Sequence, residues 1–300
     1  MNSEQCHHII IDWGTTNFRA FAMSKEHKLL STKSLPLGLL QVNNGEFAQT
    51  LEQVLKEWLV TYQDFPIFMA GMVGSLKGWV NVDYVNTPAN TKSLASNSYS
   101  FVLPWGAKAY IVPGVCHQYD EDKFDVMRGE EIQVLGLAQY LNSSDFVAIL
   151  PGTHSKHITV TNHELCSFSS YLTGEMYSML SKHSLLGKDL PENTTFDQVA
   201  FLRGVTDAQD GEFTQRIFLA WTHRLFQQLS VEQIADYLSG LLIGFELRKL
   251  KLNTSVYLVG ALALCQKYQL AAGQLGINVI LVDGNECFLQ GMSQLIDQVN

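Results

Sequence analysis

Charge is what this chain has least of. Only 16% of its 300 residues are charged, against roughly 25% in an average soluble domain. Acids outnumber bases 29 to 20, which gives a net charge of −9. Arginine is scarcer still: Arg19, Arg128, Arg203, Arg216, Arg224 and Arg248 are all there are, and just the first two precede residue 200. A basic stripe able to follow a phosphate backbone is therefore excluded, and no nucleic-acid partner is expected. Cys6, Cys116, Cys166, Cys265 and Cys287 are odd in number, widely spaced and without a CxxC pair. That excludes a disulfide framework or zinc knuckle and suits a reduced, cytoplasmic setting. No apolar run approaches the roughly 18–20 residues needed to span a bilayer, and no basic segment leads into an apolar stretch at the amino terminus, so neither a membrane partner nor conventional secretion is expected. Low-complexity tracts and short-period repeats are absent too.

What is present is an apolar content of 46%, enough for two ordinary cores at about 100–200 residues per domain. Strand-like runs at Ile9–Ile11, Phe18–Met23 and Leu29–Ser34 surround a Gly14-Thr15-Thr16-Asn17 turn and a reversal at Ser24–His27, which predicts a three-strand meander. The plan recurs farther on. Phe146–Leu150 leads through Pro151-Gly152-Thr153-His154-Ser155-Lys156 into His157–Thr161, a turn at Asn162-His163, and Glu164–Phe168.

Helical material follows each meander. Glu46–Tyr62 sets Phe47, Leu51, Val54, Leu55, Trp58 and Leu59 on one face, and Glu130–Leu141 repeats the pattern. Thr214–Leu229 and Val231–Leu250 read as longer helices, the second too short in its Leu-rich part to cross a membrane. The chain then alternates strand (Ser255–Val259), helix (Ala263–Leu275), strand (Asn278–Val282) and helix (Glu286–Val299), the mark of an α/β domain. Asn81–Ser100, rich in Asn, Ser and Thr and followed by a strand at Ala109–Val112, reads as a loop, either solvated or serving as a lid or partner surface.

Asp12-x-Gly14-Thr15-Thr16-Asn17 joins two strands by a turn whose amides and hydroxyls can face an anion, with an acid suited to a hydrated metal ion. A self-capped hairpin is the plainer alternative. Gly152-Thr153-His154-Ser155-Lys156 offers a second such turn in the second half, and two phosphate turns can clamp a nucleotide tail from both sides.

These paired motifs resemble those of the superfamily of sugar kinases, actin and heat-shock chaperone ATPases. Ala70-Gly71-Met72-Val73-Gly74-Ser75 with Gly78-Trp79, Val112-Pro113-Gly114-Val115, and Asp125-Val126-Met127-Arg128-Gly129-Glu130-Glu131 narrow the resemblance to the 2-dehydro-3-deoxygalactonokinase family. Leu172-Thr173-Gly174-Glu175, Tyr237–Gly244 and Leu258-Val259-Gly260 fit it as well, so the likeness runs in order from residue 9 to about 295. It implies a two-lobed, ribonuclease H-like α/β fold of the actin-like type with duplicated lobes, 1–141 and 142–300, around a nucleotide cleft. The last helix is expected to pack back on the first lobe. It also implies transfer of the ATP γ-phosphate to the 6-hydroxyl of 2-dehydro-3-deoxy-D-galactonate, in galactonate catabolism.

Such transfer asks a protein for positioning, charge neutralisation and a base. By resemblance, Asp12 holds Mg²⁺ through water, Gly14, Thr15, Thr16 and Asn17 approach the β- and γ-phosphates, and Gly152, Thr153, His154 and Ser155 cradle the triphosphate. Gly260 matches the place where backbone lies close to adenosine, and Lys156 is within reach of a phosphate oxygen or else an exposed strand lysine. The base stays open. Asp125 ranks first, because related sugar kinases open the corresponding helix with Asp; Glu130 ranks second, as in related exopolyphosphatases, with Glu131 beside it. Helix capping explains the same acids. Arg128 is the best-placed ligand for the substrate carboxylate, while Gly71, Ser75 and Trp79 are candidates to shape the sugar pocket. Arg19 reads as a surface ion-pair partner or a second cation for the site.

Other features carry less. His154 and His157 fall on opposite faces of a strand and do not converge on a metal. Cys116-His117 lacks an oxyanion site. A kinase for another 2-keto-3-deoxy sugar acid, an exopolyphosphatase-like hydrolase and a nucleotide-dependent scaffold remain alternatives, and a homo-oligomer is compatible with the chain.

Overall fold

The computed structural model describes residues 6–141, 143–192, 194–250 and 255–299. The chain divides into two units. The first holds the residues up to Asp145, together with Val160–Ser167 and those from Asn285 onward; the second holds Phe146–Thr159 and Phe168–Gly284.

The first unit is built on a six-stranded sheet. Strands β1 (His8–Trp13), β2 (Phe18–Met23) and β3 (Leu29–Leu35) form an antiparallel meander. β4 (Ile67–Ala70) and β7 (Lys108–Ile111) continue it in parallel, and β6 (Tyr99–Val102) closes the edge, giving the order β3-β2-β1-β4-β7-β6. Ile9, Ile10 and Ile11 are fully buried, because β1 lies at the centre of the sheet and is covered on both faces. At about 1.5–3 kcal/mol for each such side chain, this strand anchors the fold and fixes Asp12 at its carboxyl end. Helix α1 (Phe47–Trp58) lays Phe47, Leu51, Val54 and Leu55 on one face.

A separate three-stranded sheet pairs β8 (Val115–Asp120) with β9 (Lys123–Met127) and β5 (Val85–Asn86). The stretch read as a loop, Asn81–Ser100, thus contains β5, the start of β6 and a short helix, α2 (Thr91–Ser96), opened by a capping box at Asn90 and Ser93. Its Asn and Ser content serves helix capping rather than disorder. α3 (Glu130–Leu141) has the expected bounds. It packs on α10 (Gly284–Val299), which the grouping of Asn285 onward with the first unit reflects. A Cβ on Gly136 would lie 1.8 Å from the Cys287 carbonyl oxygen, and one on Gly291 would lie 2.1 Å from that of Ile132, so glycine at both positions permits this close backbone approach.

The second unit repeats the strand order. β10 (Phe146–Leu150), β11 (Ser155–Thr161) and β12 (Glu164–Tyr171) are followed by β13 (Val256–Gly260) and β14 (Val279–Asp283) in the order β12-β11-β10-β13-β14, with the last two joined in parallel to β10. The fold class is the expected one, α/β with a duplicated ribonuclease H-like sheet. Helices α5 (Gln198–Asp207), α8 (Ile234–Leu247) and α9 (Leu262–Gln274) cover this sheet, and α4 (Thr173–His183) packs on α8. α5 and α8 touch at Gly204 and Gly240, where a Cβ would stand 2.1 and 1.9 Å from the opposing carbonyl oxygens of Tyr237 and Phe201. The single helix expected over 214–229 is two short ones, α6 (Phe213–Ile217) and α7 (Leu219–Leu225), where the amide of Trp221 bonds three residues back to Phe218. Among the described residues no helix is long and apolar enough to cross a membrane.

Candidate active site

Open α/β sheets bind ligands beyond the carboxyl ends of their strands, and the candidate residues gather there in each unit. In the first unit Asp12 lies at the end of β1 with Ala70, the last residue of β4, directly opposite it, and Gly71 follows with φ 92°. A Cβ on Gly71 would sit 3.2 Å from Asp12 Oδ1 and 3.0 Å from the Trp13 carbonyl oxygen. Glycine is required there by torsion and by space. Gly129, with φ 113°, presses on Gly71 in turn, at 3.4 Å from its own Cβ position to the Gly71 Cα. The start of α3 is thereby brought to the strand ends that carry Asp12.

Asp12 is part-buried and accepts hydrogen bonds from Arg19, 3.1 Å from Nε and shorter from Nη2. Arg19 reaches on to Asn285 Oδ1. Arg19 is thus an ion-pair partner within the site rather than a surface residue apart from it. The Gly14–Asn17 turn closes by a 2.9 Å bond from the Gly14 amide to the Asn17 carbonyl, and leaves Thr15, Thr16 and Asn17 exposed. Sequence reasoning missed what braces it. The Gly38 amide donates to Thr16 O at 3.0 Å, Leu39 to Gly14 O at 3.1 Å, and Trp13 Nε1 to Leu37 O at 2.9 Å. A Cβ on Gly38 would fall 2.1 Å from Thr15 O, so nothing larger fits.

Arg128 is buried just past the end of β9, 7% exposed. Its Nη2 donates to the Val82 carbonyl at 2.7 Å and its guanidinium stacks 4.3 Å from the centre of the Tyr84 ring. Among the described residues Nε and Nη1 are buried without a hydrogen-bond partner, and so is the hydroxyl of Ser75. Arg128 Nη1 would lie 2.9 Å from a Cβ on Gly74, which ties the arginine to the Gly71–Ser75 turn. Buried N–H groups without acceptors cost about 1–3 kcal/mol each, so the arrangement leaves donors open to an acceptor.

The acids separate clearly. Asp125 lies mid-strand in β9, opposite His117, and its Oδ1 accepts the Val126 amide at 2.8 Å. It does not open the helix, which was the ground for ranking it first; α3 begins at Glu130. Glu130 is half-buried and accepts the Arg128 amide at 3.2 Å. Glu131 is fully buried, and both its oxygens hold the Gly129 amide, at 2.9 and 2.7 Å. Burial, and then the neighbouring Glu130 charge, push the Glu131 carboxyl up to about 8 against the pull of those hydrogen bonds and of Arg128, so near neutral pH it is mostly protonated. Trp79, read equally as a pocket wall or as ordinary core packing, packs on the core, stacked 6.0 Å from Phe47 and edge-on to Phe101 at 5.2 Å.

In the second unit β10 runs into Pro151-Gly152-Thr153-His154, and Gly260 ends β13 with φ 153°, its Cβ position 3.7 Å from Pro151 O. The first turn of α4 seats on the same turn. The Glu175 amide donates to Thr153 O at 3.0 Å, and a Cβ on Gly174 would lie 2.4 Å from Gly152 O. His154 Nε2 and Glu175 Oε2 lie 2.5 Å apart, about half exposed. Two expectations are corrected here. β11 begins at Ser155, which turns that side chain inward: it is fully buried and donates to Glu246 at 2.7 Å, so its hydroxyl is not offered to a phosphate. Lys156 is not an exposed strand lysine either, being 5% exposed with Nζ on the Ser170 hydroxyl. Beside Gly152 and Gly174 opens a mainly apolar cavity of about 240 Å³, walled by Tyr177, Leu242, Ile243 and Tyr268 among others.

Glu246, absent from the expected residues, is the acceptor at the centre of this unit. It was marked only by being a lone acid at the end of the apolar run Leu238–Leu247. Among the described residues no cluster of three or more His, Cys, Asp or Glu is arranged to hold a metal.

Comparison with known proteins accords with this geometry. The sequence profile of the 2-keto-3-deoxy-galactonokinase family matches residues 12–295. The 2-dehydro-3-deoxygalactonokinase of Escherichia coli K12 is 33% identical over 97% of this chain and 98% of its own length. A crystal structure from Sinorhizobium meliloti, assigned as a 2-dehydro-3-deoxygalactonokinase protein, superposes with a TM-score of 0.89 at 28% identity, covering 97% of this chain and 96% of that one. Component A of the (R)-2-hydroxyglutaryl-CoA dehydratase of Acidaminococcus fermentans shares the fold at a TM-score of 0.51 and 13% identity, over 98% of this chain and 99% of that one.

Proposed function

The chain belongs to the 2-keto-3-deoxy-galactonokinase family, and from that premise we propose that it transfers the γ-phosphate of ATP to the 6-hydroxyl of 2-dehydro-3-deoxy-D-galactonate, giving the 6-phosphate and ADP. The observation that carries the substrate class is Arg128. A buried guanidinium whose Nε and Nη1 have no partner among the described residues, beside the equally unpartnered Ser75 hydroxyl, fits an anionic substrate group such as a carboxylate.

In this reading the first unit binds the sugar acid and the second binds the adenosine, the cavity of about 240 Å³ beside Gly152 taking the nucleoside. Glu130 is the base. It stands at the start of α3, on the segment that Gly129 seats against Gly71, which itself lies beside Asp12, and it takes the proton of the 6-hydroxyl as the O–P bond forms and the bond from the γ-phosphorus to the β–γ bridging oxygen breaks. Asp125 is the weaker candidate, since it lies mid-strand in β9 rather than at the start of α3. In the first unit the exposed Thr15, Thr16 and Asn17 offer hydroxyls and amides to phosphate, and the Gly152–Thr153 turn does so in the second.

Mg²⁺ fits the residues present. Magnesium retains most of its waters and is held by one or two carboxylates together with substrate phosphates rather than by an all-protein cage, and Asp12 is a single part-exposed carboxylate at the phosphate turn. Bound there, the ion neutralises charge on the β- and γ-oxygens. Unpaired cysteines support a reduced, cytoplasmic setting.

A coupled ADP-release assay over a panel of sugar acids tests the reading. ADP formation that depends on 2-dehydro-3-deoxy-D-galactonate is expected; phosphate release that is indifferent to sugar acid would instead indicate a hydrolase.

A further inference from the structure

We propose that Glu246 is a positioning residue for the nucleotide, holding in place the elements that shape its cavity. The proposal rests on the nucleotide reading of that cavity and adds to it a residue that no motif indicates.

Glu246 lies in the last turn of α8 and is 3% exposed. Its carboxylate accepts from four side chains on three other elements. Ser155 Oγ of β11 donates at 2.7 Å, His157 Nε2 of the same strand at 2.8 Å, Tyr268 OH of α9 at 2.6 Å, and Thr173 Oγ1, at the first position of α4, more closely still. A carboxylate offers about four lone-pair sites, and these four side chains fill them. Buried networks of this kind are rigid when complete and costly when one member fails.

Position gives the network its consequence. Thr173 and Tyr268 both line the cavity. The residue after Thr173 is Gly174, which has no room to move against Gly152 and Thr153, and Ser155 begins the strand that leaves that same turn. One carboxylate therefore ties two cavity walls to the second phosphate turn. A leucine at position 246 offers no acceptor, so all four hydrogen bonds are lost. The first turn of α4 and the ring of Tyr268 are then released together, and the phosphate turn with them.

The test is Glu246→Leu, with Thr173→Val and Tyr268→Phe as milder variants that delete one hydroxyl each, measured by ATP titration calorimetry and by steady-state kinetics in both substrates. Expected is an ATP Kd about tenfold or more weaker in Glu246→Leu, an ATP KM about two- to tenfold higher in each milder variant, and a sugar-acid KM within twofold of wild type in all three. Ala263→Trp, which fills the cavity from an exposed helical position, separates the two claims. Undiminished ATP binding in Ala263→Trp overturns the nucleotide reading, and the positioning role with it. Lost binding there, with ATP constants unchanged in the other three variants, overturns the positioning role alone, as does an equal rise in KM for both substrates or a lowered thermal midpoint with unchanged ATP KM.

Discussion

Replacing Arg128 by Met should weaken substrate binding severely while leaving the free protein about as stable as before. Three features of Arg128 work in the folded protein alone: the 2.7 Å bond to the Val82 carbonyl, the stack on Tyr84, and the burial of Nε and Nη1 without acceptors. Removing the guanidinium strands the Val82 carbonyl, at about 1–3 kcal/mol, and forfeits a desolvated cation–π contact of up to about 2 kcal/mol. It also removes two unsatisfied buried donors, at about 1–3 kcal/mol each. These contributions oppose one another and leave a net change within about 2 kcal/mol of zero, or a few degrees in Tm for units of this size. Binding has no such compensation. Two charge-assisted bonds to a carboxylate contribute about 1.5–3 kcal/mol each, so the sugar-acid KM should rise by roughly a hundredfold or more. Arg19 cannot substitute, because it is committed to Asp12 and Asn285. The assay is thermal unfolding of the free protein alongside initial rates against sugar acid at saturating ATP. A large fall in Tm with a KM within threefold of wild type would refute the reasoning and make Arg128 a structural residue.

Glu130→Gln should lower kcat by about 10²–10⁴-fold, the usual contribution of a general base, with binding of ATP and sugar acid nearly intact by calorimetry; the same loss in Asp125→Asn instead would move the base to the hairpin. Gly38→Ala should disturb the first phosphate turn, since its Cβ would overlap Thr15 O, raising the ATP KM at least severalfold in steady-state assays while the sugar-acid KM stays put. His8 is 1% exposed, and burial, then the neighbouring His27, hold its pKa at about 4 against 6.5. A histidine with its folded-state pKa depressed contributes stability that is fully present above about pH 6.5 and is lost as pH falls toward 4. Linkage gives a loss of about 2 kcal/mol between pH 7 and pH 5, so urea midpoints should fall over that interval in the wild type and markedly less in His8→Gln.

The sheets were legible because their signal is local. β1, β2 and β3 are apolar runs broken by Gly-Thr and charged turns, and the second meander repeats them. α3 was legible to the residue, since its acids sit where a helix amino terminus favours them. The hairpin β8–β9 was not read, because His117, Gln118, Asp120, Lys123 and Asp125 give it the polarity of a loop, and that omission promoted Asp125 to a helix opening it does not occupy. At Ser155 and Lys156 the difficulty was register. A strand that begins at Ser155 turns the serine to the core, and a one-residue difference in where a strand starts reverses which side chains face outward. Gly38 and Glu246 depend on partners remote in sequence, Thr15 and Thr16 for the first, Ser155 and Thr173 for the second, so no local pattern announces them. The scarcity of arginine proved informative in a different way: with Arg19 held by Asp12, Arg128 is the arginine of the first unit whose donors are still open.

The central claim is that the γ-phosphate goes to a sugar-acid hydroxyl, and phosphorus-31 NMR of a reaction containing the protein, ATP, Mg²⁺ and 2-dehydro-3-deoxy-D-galactonate reads it directly. The account predicts a phosphomonoester resonance split by the two protons on carbon 6, growing in step with ADP and absent when the sugar acid is left out. A singlet of inorganic phosphate growing at the same rate with or without the sugar acid would contradict it.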